Sequence, residues 1–298
     1  MSEEKSLTME IAKKLVANPE SFDISPFEKW DKDVICFILE STLEGPGGYD
    51  VDPKYHNSFK SAACNLTKGV LTAEVAEWPG PFWSEEGSGK YIFNNYTSIE
   101  DKAAEFLATK IDQSGYDLEI HLHLNELTSL SETAAKYLSQ IRLSGWLELN
   151  GLTEVNEEVA SHLSSTTAFL SLAGVQTLSD EAARNLSQRR GIGLTLGLTS
   201  ISDQAAEHLS NVVGSLDLDS LSTLSDEAAE SLSRMDGEMP PFDPLGQPMG
   251  EMKKARLSLK GLEQLSDASA NSLSKFRGLI NFKDPKEWAA SLRDNNAD

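Results

Sequence analysis

Along most of this chain the apolar residues recur in one arrangement: a pair two apart, two more at spacings of three, then a cluster with helical spacing. Leu216, Leu218, Leu221 and Leu224 are the clearest instance, followed by Ser225 and by Ala228, Ala229 and Leu232 on one helical face. The alternation predicts a short strand with Leu216 and Leu218 turned inward and Asp217 and Asp219 turned outward. The cluster predicts a short helix whose unpaired first amides are capped by the Ser225 hydroxyl. Ser131, Ser179, Ser202 and Ser266 occupy the matching place in other units.

Aligning the last apolar residue before each helix gives Leu130, Val155, Leu178, Ile201, Leu224 and Leu265, at steps of 25, 23, 23, 23 and 41. The long step is one 23-residue unit plus an insertion of 18, matching the Pro-, Gly- and Met-rich run from Asp236 to Lys253. A unit this short cannot enclose its own apolar face and must stack on its neighbours. Parallel strands joined by helical crossovers connect right-handedly. The expected fold is therefore α/β: a right-handed solenoid with a parallel sheet on one face and short helices on the other.

The register extends backwards. Tyr91, Phe93, Tyr96 and Ile99 repeat the spacing ahead of Ala103, Ala104 and Leu107, and Phe22, Ile24, Phe27 and Trp30 repeat it ahead of Val34, Ile35 and Ile38. The step from Leu7 to Trp30 is again 23. At the other end Leu279–Phe282 predicts a last strand, Asp284 an N-cap with Pro285 at the first helical position, and Trp288, Ala289 and Leu292 a lid on the open core. The division expected is N-terminal repeats or cap at 1–43, degenerate loop-rich repeats at 44–90, regular repeats at 91–274 with the insertion at 236–253, and a C-terminal cap at 275–298.

On these residues the unit resembles a leucine-rich repeat, and the consensus LTxLSDEAAxxLS resembles the bacterial leucine-rich-repeat-like arrays abundant in planctomycetes. The geometry of such an array, with a sheet face of aligned outward positions, makes a non-catalytic scaffold that binds a protein or peptide on that face the expected function. The chain departs from the standard repeat where a ladder-forming Asn is usual: Leu127, Leu152, Val175, Leu221 and Leu262 stand there. No Asn ladder is expected. The unit around Leu194, Leu196, Leu198 and Ile201 is one residue short, which predicts a local shift.

Charge narrows the partners. With 47 acidic and 26 basic residues the formal net charge is −21, which argues against nucleic acid and against an anionic membrane surface and leaves a basic protein or peptide possible. Part of the acidity lies in first helical turns, as at Asp101, Asp180, Glu181, Asp203, Asp226 and Asp267, where it complements the helix dipole. The start MSEEKSLTMEIAKK lacks the apolar core of a secretory signal, and no apolar run is long enough to span a bilayer, so a cytoplasmic monomer is expected. Cys36 and Cys64 are too few for a cysteine framework or zinc site and are expected as free thiols.

The outward strand positions form columns across the units. One reads His121, Trp146, Phe169, Gly193, Ser215, Arg256; the next His123, Glu148, Ser171, Thr195, Asp217, Ser258; the third Asn125, Asn150, Ala173, Gly197, Asp219, Lys260. The partner-binding residues expected are His121, His123, Trp146, Glu148 and Phe169, together with Phe242 in the insertion, because adjacent aromatic side chains anchor interfaces. A flanking loop that merely covers the aromatic column is the alternative. A divalent metal at His121, His123 and Glu148 lacks a second well-placed carboxylate, and calcium at Asp217, Asp219 and Asp226 lacks the EF-hand order. His162 and His208 stand two units apart on exposed helix positions, and GIGLTLG lies inside a repeat strand. No catalytic arrangement and no cofactor is expected. The rival reading places an enzymatic or small-ligand pocket in the irregular 44–90 region, around Tyr49, His56, Trp78 and Trp83.

Overall fold

Strands and short helices alternate through a computed structural model that describes residues 6–17, 29–30, 34, 69–76, 82–83, 89–112, 120–141, 145–189, 191, 193–239 and 253–294. The strands are β1 (Ser6–Leu7), β2 (Lys29–Trp30), β3 (Gly69–Leu71), β4 (Phe82–Trp83), β5 (Gly89–Ile92), β6 (Tyr96–Ile99), β7 (Ile120–His123), β8 (Trp146–Glu148), β9 (Phe169–Leu172), β10 (Gly193–Leu196), β11 (Ser215–Asp217), β12 (Glu238–Met239), β13 (Lys253–Lys254), β14 (Arg256–Ser258) and β15 (Leu279–Ile280). Nine of them form one sheet in the order β15-β14-β11-β10-β9-β8-β7-β5-β4, parallel except for the β4–β5 pair at its edge. Between successive strands lie helices such as Glu132–Gln140, Asp180–Ser187 and Asp226–Ser233, each packed on the next. No helix among the described residues is long and apolar enough to cross a membrane.

The pairing register is the one the 23-residue step implies. Leu7 pairs with Trp30 and Trp146 with Phe169, the shortened unit pairs Gly193 with Ser215 at a step of 22, and Asp217 pairs with Ser258 across the long step. Leu122, Leu147, Leu170, Leu194, Leu216, Leu257 and Ile280 form one inward file, each 0–1% exposed. Ala134, Ala135, Ala182, Ala183, Ala228 and Ala229 are fully buried, so the small helix residues let the two layers approach closely.

The insertion leaves this frame undisturbed because its ends are tied together: Glu238 pairs with Lys254 and Met239 with Lys253 in an antiparallel stem. At the C-terminus the predicted strand ends at Ile280, and the helix Pro285–Asp294 buries Trp288 and Ala289 as a cap. At the other end of the array, Tyr91 belongs to the main sheet and Phe93, just past it, still donates its amide to His123 O at 2.8 Å, whereas Tyr96–Ile99 turns away to pair with Gly69–Leu71 in a separate two-stranded sheet. The segments carrying Phe22–Phe27 and Cys36, Cys64 and most of 44–90 lie outside the described residues.

Two hydrogen-bond ladders join the repeats. Along the helix layer, Ser131, Ser179, Ser202, Ser225 and Ser266 accept from the third amide of their own helix. The same hydroxyls donate to a first-turn acid of the preceding helix: Asp101, Glu157, Asp180, Asp203 and Asp226 respectively. The acids thus serve as acceptors as well as dipole partners. Asn156 is the N-cap of the remaining unit, its Oδ1 accepting from Val159 at 2.8 Å.

The second ladder corrects the expectation that asparagine would be missing. Asn94 Oδ1 accepts the amide of Asn125 at 3.0 Å, Asn125 Oδ1 that of Asn150 at 3.3 Å, and Asn150 Oδ1 that of Ala173 at 3.0 Å. The ladder sits at the strand ends, in the third outward column, and not at the buried positions of Leu127 and Leu152. It stops where Ala173 and Gly197 offer no acceptor, and the shortened unit there bonds Gly197 N to Leu172 O instead, at 3.3 Å. It resumes at Asp219, whose Oδ1 accepts from Lys260 N at 3.0 Å.

Beneath the strand starts Arg189 is 2% exposed and donates to Ala168 O at 2.5 Å and Gly193 O at 2.9 Å, tying two units together. Burial lowers its pKa to about 9.

Candidate functional site

Because the inward files are sealed in the core, the outward columns carry the surface chemistry. Their side chains behave differently at the two ends of the array.

At the β7–β8 end the groups close on one another. The rings of His121 and His123 stack with centroids 6.0 Å apart. His123 Nδ1 lies 2.5 Å from Glu148 Oε2, and Asn125 Nδ2 donates to the same oxygen at 2.7 Å. The hydrogen bond from His123 outweighs the opposing effect of burial and, with Asn125, holds the Glu148 carboxyl below its ordinary value. His123 Nε2 is buried with no hydrogen-bond partner among the described residues.

Trp146 and Phe169 meet at 3.9 Å between centroids, so the sheet does bring these two predicted residues together. Phe169, however, is only 7% exposed. The reason is its neighbour in the column: a Cβ at Gly193 would stand 2.2 Å from the Phe169 ring, so the missing side chain is the space the ring fills. His121, His123, Trp146 and Glu148 remain partly accessible. Phe242 lies outside the described residues, as do Tyr49, His56 and Trp78.

At the β11–β14 end the same columns stay open. A shallow groove enclosing about 80 Å³ is lined by Phe169, Ser215, Asp217, Arg256, Ser258 and Phe282, with Lys260 and Asn281 beside them. Lys260 Nζ is committed to Asp219 Oδ2 at 2.6 Å, and Ser258 donates to Asp219 Oδ1 at 2.6 Å. Burial opposes ionisation of Asp219, but these bonds prevail and hold its carboxyl below the ordinary value. Asp217 has no ion pair among the described residues; its Oδ1 accepts the Asp219 amide at 3.1 Å, and its carboxyl lies against that of Asp219. Burial, reinforced by the Asp219 charge, pushes the Asp217 carboxyl up.

Arg256 is likewise unpaired with any carboxylate among the described residues. Its Nε donates to Ser215 Oγ at 3.3 Å, and its guanidinium carbon lies 4.7 Å from the centroid of the Phe282 ring. Phe282 is 64% exposed. It sits in a two-residue turn closed by Lys283 N to Ile280 O at 2.8 Å and Ile280 N to Lys283 O at 3.0 Å. Both central residues have positive φ, 48° at Asn281 and 65° at Phe282. Such turns favour Asn followed by Gly. Asn281 fits, and its Oδ1 accepts from Leu259 N at 2.7 Å. A bulky side chain at φ 65° costs of order 1–3 kcal/mol.

The outward columns of the sequence hold Ser215, Asp217 and Arg256 in the observed order, with Asp217 considered only as a calcium ligand and set aside, and Phe282, expected at the end of a strand, lies two residues beyond it. The signal for Phe282 was the dipeptide Asn281–Phe282 at a place where Asn–Gly is the usual solution. No cluster of three or more His, Cys, Asp or Glu side chains suited to a metal ion occurs among the described residues. No protein-family model matches this chain, and no curated protein matches it.

Proposed function

We propose that this chain is a non-catalytic binding scaffold, a right-handed leucine-rich-repeat-like solenoid that holds a protein or peptide partner on the outward face of its parallel sheet. The observation that carries the reading is the alignment of outward side chains into continuous columns across parallel strands in one register. Such a face offers a partner a regular grid about 4.8 Å apart between strands, with polar and aromatic positions fixed by the core beneath. His121, Trp146 and Glu148 supply its ordered, part-exposed end. The formal charge of −21 favours a basic partner.

The test is affinity capture with immobilised protein against a native extract. The parent is compared with Trp146→Ala and His121→Ala on the sheet face and with Glu207→Ala on the helix face. Partners lost from the two sheet-face variants and retained by the helix-face variant support the reading. An unchanged set of captured proteins removes the sheet face from consideration.

A further inference from the structure

The groove between Phe169 and Phe282 presents opposite charges that do not satisfy each other. Asp217 and Arg256 stand on adjacent strands, one in the second column and one in the first, so they are diagonal neighbours across the β11–β14 pair. Cβ atoms in that relation lie roughly 7–8 Å apart, within reach of a direct ion pair for a long side chain. No such pair forms. Arg256 lies over Phe282 instead, and Asp217 turns to its own backbone at Asp219. The nearest lysine, Lys260, is already held by Asp219.

We propose that this groove binds a free α-amino acid, its carboxylate received by the Arg256 guanidinium and its ammonium by the Asp217 carboxylate. Three features fit that ligand. A group carrying both charges a few ångströms apart completes both unpaired side chains at once, each with a charge-assisted hydrogen bond. The floor of Ser215 and Ser258 is small enough to let the head group reach the sheet, and the enclosed space of about 80 Å³ suits a small head group rather than a folded partner. Phe282 stands at the rim, 64% exposed and in a backbone conformation that glycine would adopt freely. The aromatic ring is therefore retained against the preference of its own turn. Backbone strain of this kind gathers at ligand clamps. Phe169 forms the opposite wall, and the space between the two rings receives the amino-acid side chain, which makes the favoured ligands apolar or aromatic. This site is independent of the partner-binding reading and stands or falls separately from it.

The experiment uses the full chain and the free L-amino acids themselves, screened singly by saturation-transfer NMR and quantified by calorimetry. At least one apolar or aromatic amino acid is expected to bind saturably. Its N-acetyl derivative, which lacks the cation, and its amide, which lacks the anion, should each bind about tenfold more weakly or worse. Asp217→Asn and Arg256→Gln should each lose binding to the same extent, with folding checked by thermal melting. Phe282→Gly is the control that a merely structural role would not produce: it should melt at or above the parent temperature and still bind more weakly. The assignment is overturned if no free amino acid binds, if the blocked derivatives bind as well as the parent amino acid, or if only a peptide with alternating Lys and Glu gives a signal.

Discussion

The two ends of the outward sheet face are built from the same columns and have opposite characters. Around His123, Glu148 and Asn125 a charged group has found its partners, and Trp146 and Phe169 have found each other. Around Asp217, Arg256 and Phe282 a carboxylate and a guanidinium stay apart and an aromatic ring sits exposed on a strained turn. Composition does not separate the ends, since each has an acid, a base and aromatic groups. What separates them is the pairing of charges and rings, complete at the first end except for His123 Nε2 and incomplete at the second. Groups that complete one another contribute stability, while groups left incomplete at a cost are the ones with something to gain from a ligand.

That contrast is open to direct tests. The largest effect belongs to Phe169→Ala, which empties a buried ring site at the closed end and should destabilise by about 3 kcal/mol, read from chemical denaturation. A small change would mean that the ring is not part of the packing. Glu148→Ala should follow with about 2 kcal/mol, because it leaves His123 and Asn125 without their shared acceptor. The pH dependence carries the same information. Glu148 is held below its ordinary pKa in the fold, so its contribution is present above the ordinary glutamate value of about 4.3 and is lost as pH falls through the lowered one. A parent and a Glu148→Gln variant should therefore converge in stability toward acid.

At the open end the signs reverse. Phe282→Gly removes the strain at φ 65° but also the stacking with Arg256, giving a net gain of up to about 1 kcal/mol. A marked loss of stability would show that the ring supports the cap. The smallest effect is expected from Asp217→Asn. Here the folded carboxyl is raised above its unfolded value, so the stability linked to its protonation is complete below the ordinary aspartate value of about 3.9 and lost as pH rises through the folded one. The variant should match the parent in acid and slightly exceed it at neutral pH. Denaturation curves at several pH values check both signs.

The repeat frame was legible because it depends on pattern alone. Period-two alternation decides which face each strand residue takes, and the 23-residue step decides which residue it meets, so Leu7 beside Trp30 and Asp217 beside Ser258 follow from spacing. The site was not legible in the same way. Phe169 is buried by the absence of a side chain at Gly193, one unit further on. The asparagine ladder runs through strand ends because the acceptors reach amides of the next unit, which no single repeat records. Phe282 acquires its meaning from two backbone angles. Each depends on what the neighbouring unit leaves vacant or exposes, and periodicity averages that information away.

The serine-to-aspartate link across the long step has a practical consequence. Ser266 bonds Asp226 just as Ser225 bonds Asp203, although 40 residues rather than 22 separate the partners. With the stem at Glu238–Met239 and Lys253–Lys254 closing the excursion, the helix layer has the same joint whether or not the extra sequence is present. The stretch between the two stem strands is thus a natural splice point. A foreign peptide of different length can be displayed there, on an array whose joints carry no record of the substitution.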